Sequence, residues 1–446
     1  MSISDTSKVL EDFIHTIDLS GDFPDHSSSR PHIWNMDWLS GDGVPYHSDM
    51  ELDEIRRQCR ELAMVNEFAI NGHENRISYI VGTGFPCRVF PKGSSHQQTC
   101  DAAQEILDDF IFRNHWYSRQ QESIRRLDRD GEVFLRFSED PDGHVQTRFV
   151  DPSTIRTPRH HHDHPEYSYG ILTLPQDPET VRGYFIDEEF VPSVEIQHRR
   201  SNVDRSVKRG VPLFYPVLGN LRRAEKILRN MSVVAGVQSA IAIIRKHTNG
   251  TTSSVRQFVQ NESDQSHPDI SGRTYSYRRY SPGTILDTSS GIEYEFPASS
   301  IDAGSYVSIL QAELRAVASR LVMPEFMLTS DASNANYSST MVAEGPSVRT
   351  FQRLQQDLVH YDTEVFRYVI RTAIRWGRLP SDTLTRISFQ CVPPGLAVRD
   401  RLAEAQADEI LLRCGVLSPQ TMAMRHGLDP CKEQENIRKM KNGSVN

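Results

Sequence analysis

The sequence predicts an α+β fold, with a mixed first half and a second half dominated by long helices. Three observations predict it. Up to about residue 200 the apolar residues switch between helical spacing and a period of two. Turn-forming residues cut that half into short segments. Beyond Pro212, apolar stripes at steps of three and four residues persist for twenty residues or more. Composition agrees: 446 residues with 37% hydrophobic and 24% charged side chains describe a soluble, core-forming chain of roughly three structural units.

The elements follow in order. Residues 1–51, rich in Ser, Asp, His and Pro, read as an N-terminal arm. Leu52, Ile55, Cys59, Leu62, Val65 and Phe68 have helical spacing, which predicts a helix from Leu52 to about Ile70. Ile77–Val81 reads as a strand, followed by a turn at Gly82–Pro86 and a helix over Cys100–Arg126. Gly131–Phe137 alternates as a half-buried strand does, and Thr147–Val150, Val181–Ile186 and Val194–Gln197 read as further strands. Leu213–His247 reads as one long helix starting after Pro212, with Pro216 near its beginning. Thr248–Ser300 is rich in Ser, Thr, Gly, Tyr and Pro and reads as a small β-rich insertion. Ser305–Leu321 and Ser338–Trp376 are helical, the latter with the stripe Phe351, Leu354, Leu358, Tyr361, Val365, Tyr368 and Thr372. A short extended piece at Ile387–Cys391 and two helices after Pro393-Pro394, with turns at Gly415 and Gly427, complete the chain.

Several function classes fall away. The longest mostly apolar run, Met231–Ile244, has 14 residues, whereas a bilayer span needs about 20, so no transmembrane helix is expected. The N-terminus carries no basic-then-apolar leader, so a secretory signal is not expected. The six scattered cysteines, without a CxxC, read as reduced thiols. VGTGFP (Val81–Pro86) lacks the third glycine and the following helix of a phosphate loop. No nucleophile or P-loop motif is present, and no enzyme, cofactor or resident metal is expected.

Two kinds of cluster remain. His160, His161, His162 and His164, with Asp163, are consecutive and flanked by prolines; neighbouring residues rarely converge on one ion, so a solvated loop is expected. A metal-dependent nuclease using these histidines with Asp151 or Asp163 is the competing reading. Basic residues concentrate between Asp204 and Arg229 (Arg205, Lys208, Arg209, Arg222, Arg223, Lys226, Arg229), and Arg367, Arg371 and Arg375 share one helix face. These are candidates for phosphate contact or for an interface with an acidic partner subunit. The Arg excess, 42 against 8 Lys, suits either role but also follows from GC-rich coding.

From Arg209 onward the order of signals resembles the portal proteins of tailed bacteriophages, specifically the lambda-like group. The residues carrying the resemblance are RGVPLFYPVLGNL (Arg209–Leu221), SPGTILDTSSGIEYEFP (Ser281–Pro297), LVMPEFMLTSD (Leu321–Asp331), NANYSSTMVAE (Asn334–Glu344) and the Arg/Gln-rich Arg349–Gln356. SYIVGTG (Ser78–Gly84), RLDRDGEVFLRF (Arg126–Phe137) and VDPSTI (Val150–Ile155) are also portal-like. The resemblance implies a portal-like, ring-forming fold with an arm at 1–51, an α+β wing at 52–212 and a stem helix at 213–247. It further implies a clip at 248–300, a second stem helix at 301–325, a tunnel loop at 326–340, a long helix at 341–380 and a crown-like end at 381–446. Thr329, Ser330, Asp331, Ser333, Asn334 and Asn336 would then face DNA.

The implied partners are the chain itself in a ring of about twelve, the terminase large subunit, head–tail adaptor and capsid or scaffold proteins, and duplex DNA passing non-specifically; no membrane is involved. The implied location is the portal vertex of the virion, with assembly in the host cytoplasm. Twelve helices of about 10 Å diameter set abreast enclose a lumen on the order of 28 Å, wide enough for a duplex. A head–tail adaptor ring without a DNA channel is a further alternative. If the histidines form a solvated loop, replacing His160, His161, His162 and His164 together with Ser should leave folding and assembly intact. Thermal unfolding should then detect no more than about 0.5 kcal/mol per site.

Overall fold

The computed structural model describes residues 46, 48–93, 96–161, 164–247, 267–268, 274–275, 284–289, 303–331, 337–396, 401–425, 428 and 430–443. Residues up to Leu221 and from Arg315 onward form one unit, and Arg222–Leu314 form a second.

In the first unit, α1 (Asp49–Val65) and α2 (Glu67–Ile80) are separated at Asn66, whose side chain leaves the first helix's register and caps the second by accepting from the Phe68 and Ala69 amides. The expected strand at Ile77–Val81 is therefore the last turn of α2. Its apolar residues meet the helical spacing equally well, and Ile77, Ile80 and Val81 are buried. The strand comes later, as β1 (Cys87–Pro91). The single helix expected over Cys100–Arg126 is two, α3 (Gln97–Arg113) and α4 (Trp116–Asp130). They part at Asn114–His115, where His115 adopts a left-handed φ of 49°.

After α4, β2 (Glu132–Glu139) is the middle strand of a sheet ordered β3 (Val145–Val150), β2, β7 (Ile196–Arg200). A second antiparallel sheet joins β4 (Ile171–Leu174), β5 (Asp177–Ile186) and β6 (Glu189–Pro192). The half-buried expectation for β2 is corrected: Glu132 through Leu135 are all buried. One face, with Leu135 and Phe137, enters a core with Phe110, Trp116, Phe366 and Ile370. The other places Phe134 against Ile155, Ile171, Tyr184, Val191 and Ile196. A strand covered on both faces loses the alternation that marks a surface strand.

A buried ionic knot fixes the start of β2. Glu132 is fully buried, and Arg56 of α1 and Arg209 both bond its Oε1, Arg209 at 2.8 Å. Its Oε2 meets His198 Nε2 at 2.9 Å and the Gly210 amide at 3.1 Å. The Gly131 and Gly210 backbones approach so closely that a Cβ on either would overlap main-chain atoms. The guanidiniums hold Glu132 far below the usual carboxylate range, while burial lowers the His198 pKa to about 4.

The last part of this unit contains α7 (Glu325–Thr329), α8 (Tyr337–Arg375), α9 (Thr383–Arg386) and β12 (Ile387–Cys391). The α8 stripe is seated as expected, with Phe351, Leu358, Val365 and Thr372 buried. β12 pairs antiparallel with β1, and the register sets Cys87 opposite Cys391, with Cα atoms 4.1 Å apart and the sulfurs joined in a disulfide. That corrects the expectation of six reduced thiols: a pair 304 residues apart leaves no spacing signal, and only strand register brings it together. Among the described residues three helices follow where two were expected, α10 (Arg401–Arg413), α11 (Pro419–Arg425) and α12 (Pro430–Gly443). The expected turn at Gly415 is present, while Gly427 lies outside the described residues.

The second unit takes in most of α5 (Leu218–Ala240) and of α6 (Ala303–Leu321). The long helix expected over Leu213–His247 begins later, after a short turn at Tyr215–Val217 that contains Pro216, and ends at Ala240. Ile241–His247 is instead β8, parallel to β11 (Thr284–Ser289), because the run Ile241, Ile243, Ile244 suits a pleated surface once a partner strand is present. A further short pair, β9 (His267–Pro268) with β10 (Thr274–Tyr275), agrees with a β-rich insertion; the rest of Thr248–Ser300 lies outside the described residues.

Glu132→Gln leaves two buried guanidiniums without a carboxylate and should cost about 3–5 kcal/mol in denaturant unfolding at pH 7. The pH sign follows from the two depressed pKa values. The unfolded chain binds protons that the folded chain does not, on His198 below its ordinary value of 6.5 and on Glu132 below 4.5. Their contribution is therefore complete above about pH 7 and falls as the pH drops from there towards 4. His198→Gln should flatten the upper part of that decline; an unchanged slope would contradict it.

Candidate functional site

The segment expected to face DNA begins at the end of α6. Helix α7 starts after Pro324, which stands at its N-cap with extended backbone (φ −62°, ψ 149°). Thr329 is thus the last residue of a helix rather than part of a loop; its hydroxyl donates to Glu325 O at 3.0 Å and accepts from the Asp331 amide at 3.3 Å. Ser330 has a left-handed φ of 58°, and it and Asp331 are exposed. Ser333, Asn334 and Asn336 lie outside the described residues. Asn71 and Asn75, which the sequence reading passed over, contact this root. The Asn71 amide donates to Met327 O at 3.0 Å and Leu328 O at 2.7 Å, and the Asn75 amide to Met327 O at 2.8 Å. Sequence offers only a weak signal for them: two asparagines four apart on one helical face.

The basic candidates divide. Arg223 is bound bidentately by Glu313 at 2.8 and 3.0 Å, tying α5 to α6 within the second unit. Arg222 is half-buried, Lys226 is exposed, and Arg229 pairs with Glu225 one turn earlier at 2.9 Å. Arg367, Arg371 and Arg375 form an exposed row on α8, and Arg375 reaches Glu139 at 2.6 Å.

Two members of the Asp204–Arg229 cluster are structural and not surface cations. Lys208 is buried, with Nζ donating to the carbonyls of Pro165, Glu166 and Ile171 at 2.8–3.1 Å. Besides Glu132, Arg209 donates to Pro152 O, Ile155 O and Tyr169 O. Their charges turn inward, where carbonyls of the 152–171 segment accept from them.

Among the described residues, His160, His161 and His164 do not assemble with Asp151. That carboxylate accepts from Arg60 and from the Ser153 amide, and these contacts lower its pKa to about 2. His160 and His164 are exposed, and His161 stacks on Tyr167 with ring centroids 4.1 Å apart; His162 and Asp163 lie outside the described residues. Among the described residues, the three side chains spaced to share a cation are Asp140, Asp142 and His144, in the turn joining β2 to β3. There Asp140 Oδ1 accepts the amides of Asp142 and His144, which is the ordinary chemistry of an aspartate-led turn.

Among the described residues, no helix is long and apolar enough to cross a membrane. No curated protein sequence matches the chain significantly. Solved structures resemble it at low identity. A chain from the virion of a native gene transfer agent particle is 14% identical with a TM-score of 0.42, over 88% of this chain and 97% of that one. A chain from the neck of such a particle, computed with C12 symmetry, is 13% identical with a TM-score of 0.41, over 84% and 94%. The HK97 family phage portal protein of Corynebacterium diphtheriae is 12% identical with a TM-score of 0.33, over 78% and 96%. The decisive match is to a family, phage portal protein, lambda family, which covers residues 40–355 and so takes in β2, its ionic knot, α5, α6 and the root of the polar segment. The chain belongs to the lambda family of phage portal proteins.

Proposed function

We propose that this portal protein assembles as a ring of about twelve copies at one capsid vertex, through which the terminase large subunit drives DNA inward and from which DNA later leaves. The observation that carries the reading is the family match over residues 40–355; in the sequence a short polar segment, Ser330–Asn336, runs from the end of α7 to the start of α8. In this reading 52–212 is the wing, 248–300 the clip that docks terminase and head–tail adaptors, 326–340 the tunnel loop and 381–446 the crown. The ring sits in the virion after assembly with capsid or scaffold proteins in the host cytoplasm.

The chemistry of the segment supports the reading. Thr329, Ser330, Asp331, Ser333, Asn334 and Asn336 carry one charge between them, and that charge is negative. Hydroxyl and amide groups make replaceable hydrogen bonds of about 1 kcal/mol, so phosphates pass without a deep trap. The net charge of −9 per copy keeps a sliding surface from gripping the duplex. Arg222, Lys226, Arg367 and Arg371 then belong to subunit interfaces or to passing phosphate contacts, while Arg223, Arg229 and Arg375 are held within the chain by Glu313, Glu225 and Glu139.

Light scattering of the purified protein should show particles of several hundred kilodaltons, and negative-stain images should show a central hole; monomer at every concentration and salt would defeat the ring. Lys at both Ser333 and Asn334 would add about 24 positive charges around a twelvefold lumen. Packaged DNA length should then fall at low salt and recover partly as salt rises, with ring mass unchanged. Equal packaging at every ionic strength in intact rings would remove this segment from the DNA path.

A further inference from the structure

One face of α2 meets both backbone corners that bracket α7. Asn71 and Asn75 lie four residues apart, as do Gly72 and Arg76 beside them, the one-turn spacing that puts side chains on the same side of a helix. Between them, Gly72 leaves the room that Leu321 and Leu328 fill; a Cβ there would overlap both leucine side chains. The first corner follows α6, where Val322 has φ of 53°, a left-handed conformation that a β-branched residue adopts only under constraint. Arg76 donates to Leu321 O at 3.1 Å beside this corner, and its remaining nitrogens are fixed on Asp128 at 2.9 and 3.0 Å. The second corner is Ser330, also left-handed, where Asn71 reaches the hydroxyl at 3.4 Å.

Between the corners, α7 has five residues, too few to give its last carbonyls partners of its own. The Asn71 and Asn75 amides bond those carbonyls, Met327 O and Leu328 O. Asn75 also donates to Asn71 Oδ1 at 3.3 Å, which orients the pair.

We propose that Asn71, Asn75 and Arg76 are positioning residues: through α7 they fix the point, Ser330–Asp331, from which the DNA-facing segment departs. This rests on the reading of that segment as DNA-facing. Two neutral donors and one guanidinium paired with Asp128 hold backbone oxygens at the two corners, so the position of Ser330–Asp331 is set in part from α2.

The test is Asn71→Asp with Asn75→Asp in the full-length protein, which keeps side-chain size and removes both N–H donors. Hydrogen exchange over residues 325–331 should accelerate roughly tenfold or more relative to wild type, while α3 and the buried half of α8 exchange as before. Packaged DNA should be lost progressively in rings of unchanged mass. If the double variant fails to fold, Asn71→Asp alone gives the same exchange readout. Unchanged exchange over 325–331 overturns the clamp whatever happens to DNA. Faster exchange with normal packaging also overturns the positioning role, provided the Ser333/Asn334 lysine variant does slow packaging. If that lysine variant has no effect either, it is the DNA-facing reading that fails.

Discussion

A carboxylate with no access to water organises the first unit. Removing Glu132 from solvent costs several kcal/mol and is offset only when every partner is in place. Those partners come from α1 (Arg56), β7 (His198) and the Arg209–Gly210 turn, all more than sixty residues from Glu132 in sequence. Arg209 in turn holds three loop carbonyls, and its own carbonyl accepts from the Tyr46 hydroxyl at 2.9 Å. A shift of any one element would strand a buried charge, so the knot fixes register where apolar packing alone tolerates sliding.

The same device recurs outward from β2. Asp130 and Asp151 share Arg60, Asp128 takes Arg76 bidentately, and Asp362 inside α8 accepts from Trp116, Gln120 and Arg199. Buried pairs of this kind connect the end of α4 to α2, and α2 to the corners around α7. The polar segment proposed to face DNA therefore starts from a rigid root. That suits a surface past which a charged polymer slides, because a root that yielded would let each passing phosphate drag the contact with it.

This arrangement also gives the Arg-rich composition a physical cause beyond codon usage. Arg56, Arg76, Arg199 and Arg209 are buried, and each uses several of its five donors on fixed carboxylates or carbonyls. Lysine offers a point charge and no fork, and could not satisfy two carbonyls and a carboxylate in one plane. The cations left for a passing duplex or a neighbouring subunit are fewer than the count of 50 basic residues suggests, in keeping with a conduit that does not grip.

The residues by themselves determined the mixed class, most of the strands of the first half, the seated stripe of α8 and the family, because periodicity and motif order are local properties. The candidate segment came from the resemblance to portal proteins, and its facing DNA is a proposal that its short polar composition supports. What sequence left undecided depended on contacts across the chain. Ile77–Val81 and Ile241–His247 exchanged helix and strand because short apolar runs fit both periods until a partner is present. Cys87 and Cys391 became neighbours only through the register of β1 against β12. Lys208 and Arg209, which look like surface cations beside Asp204 and Arg205, turn inward to backbone carbonyls and to Glu132. Asn71 and Asn75 became anchors only because folding sets α2 beside the ends of α6 and α7. Hydrogen-bond satisfaction in a closed interior is a property of the whole fold, and no window of sequence contains it.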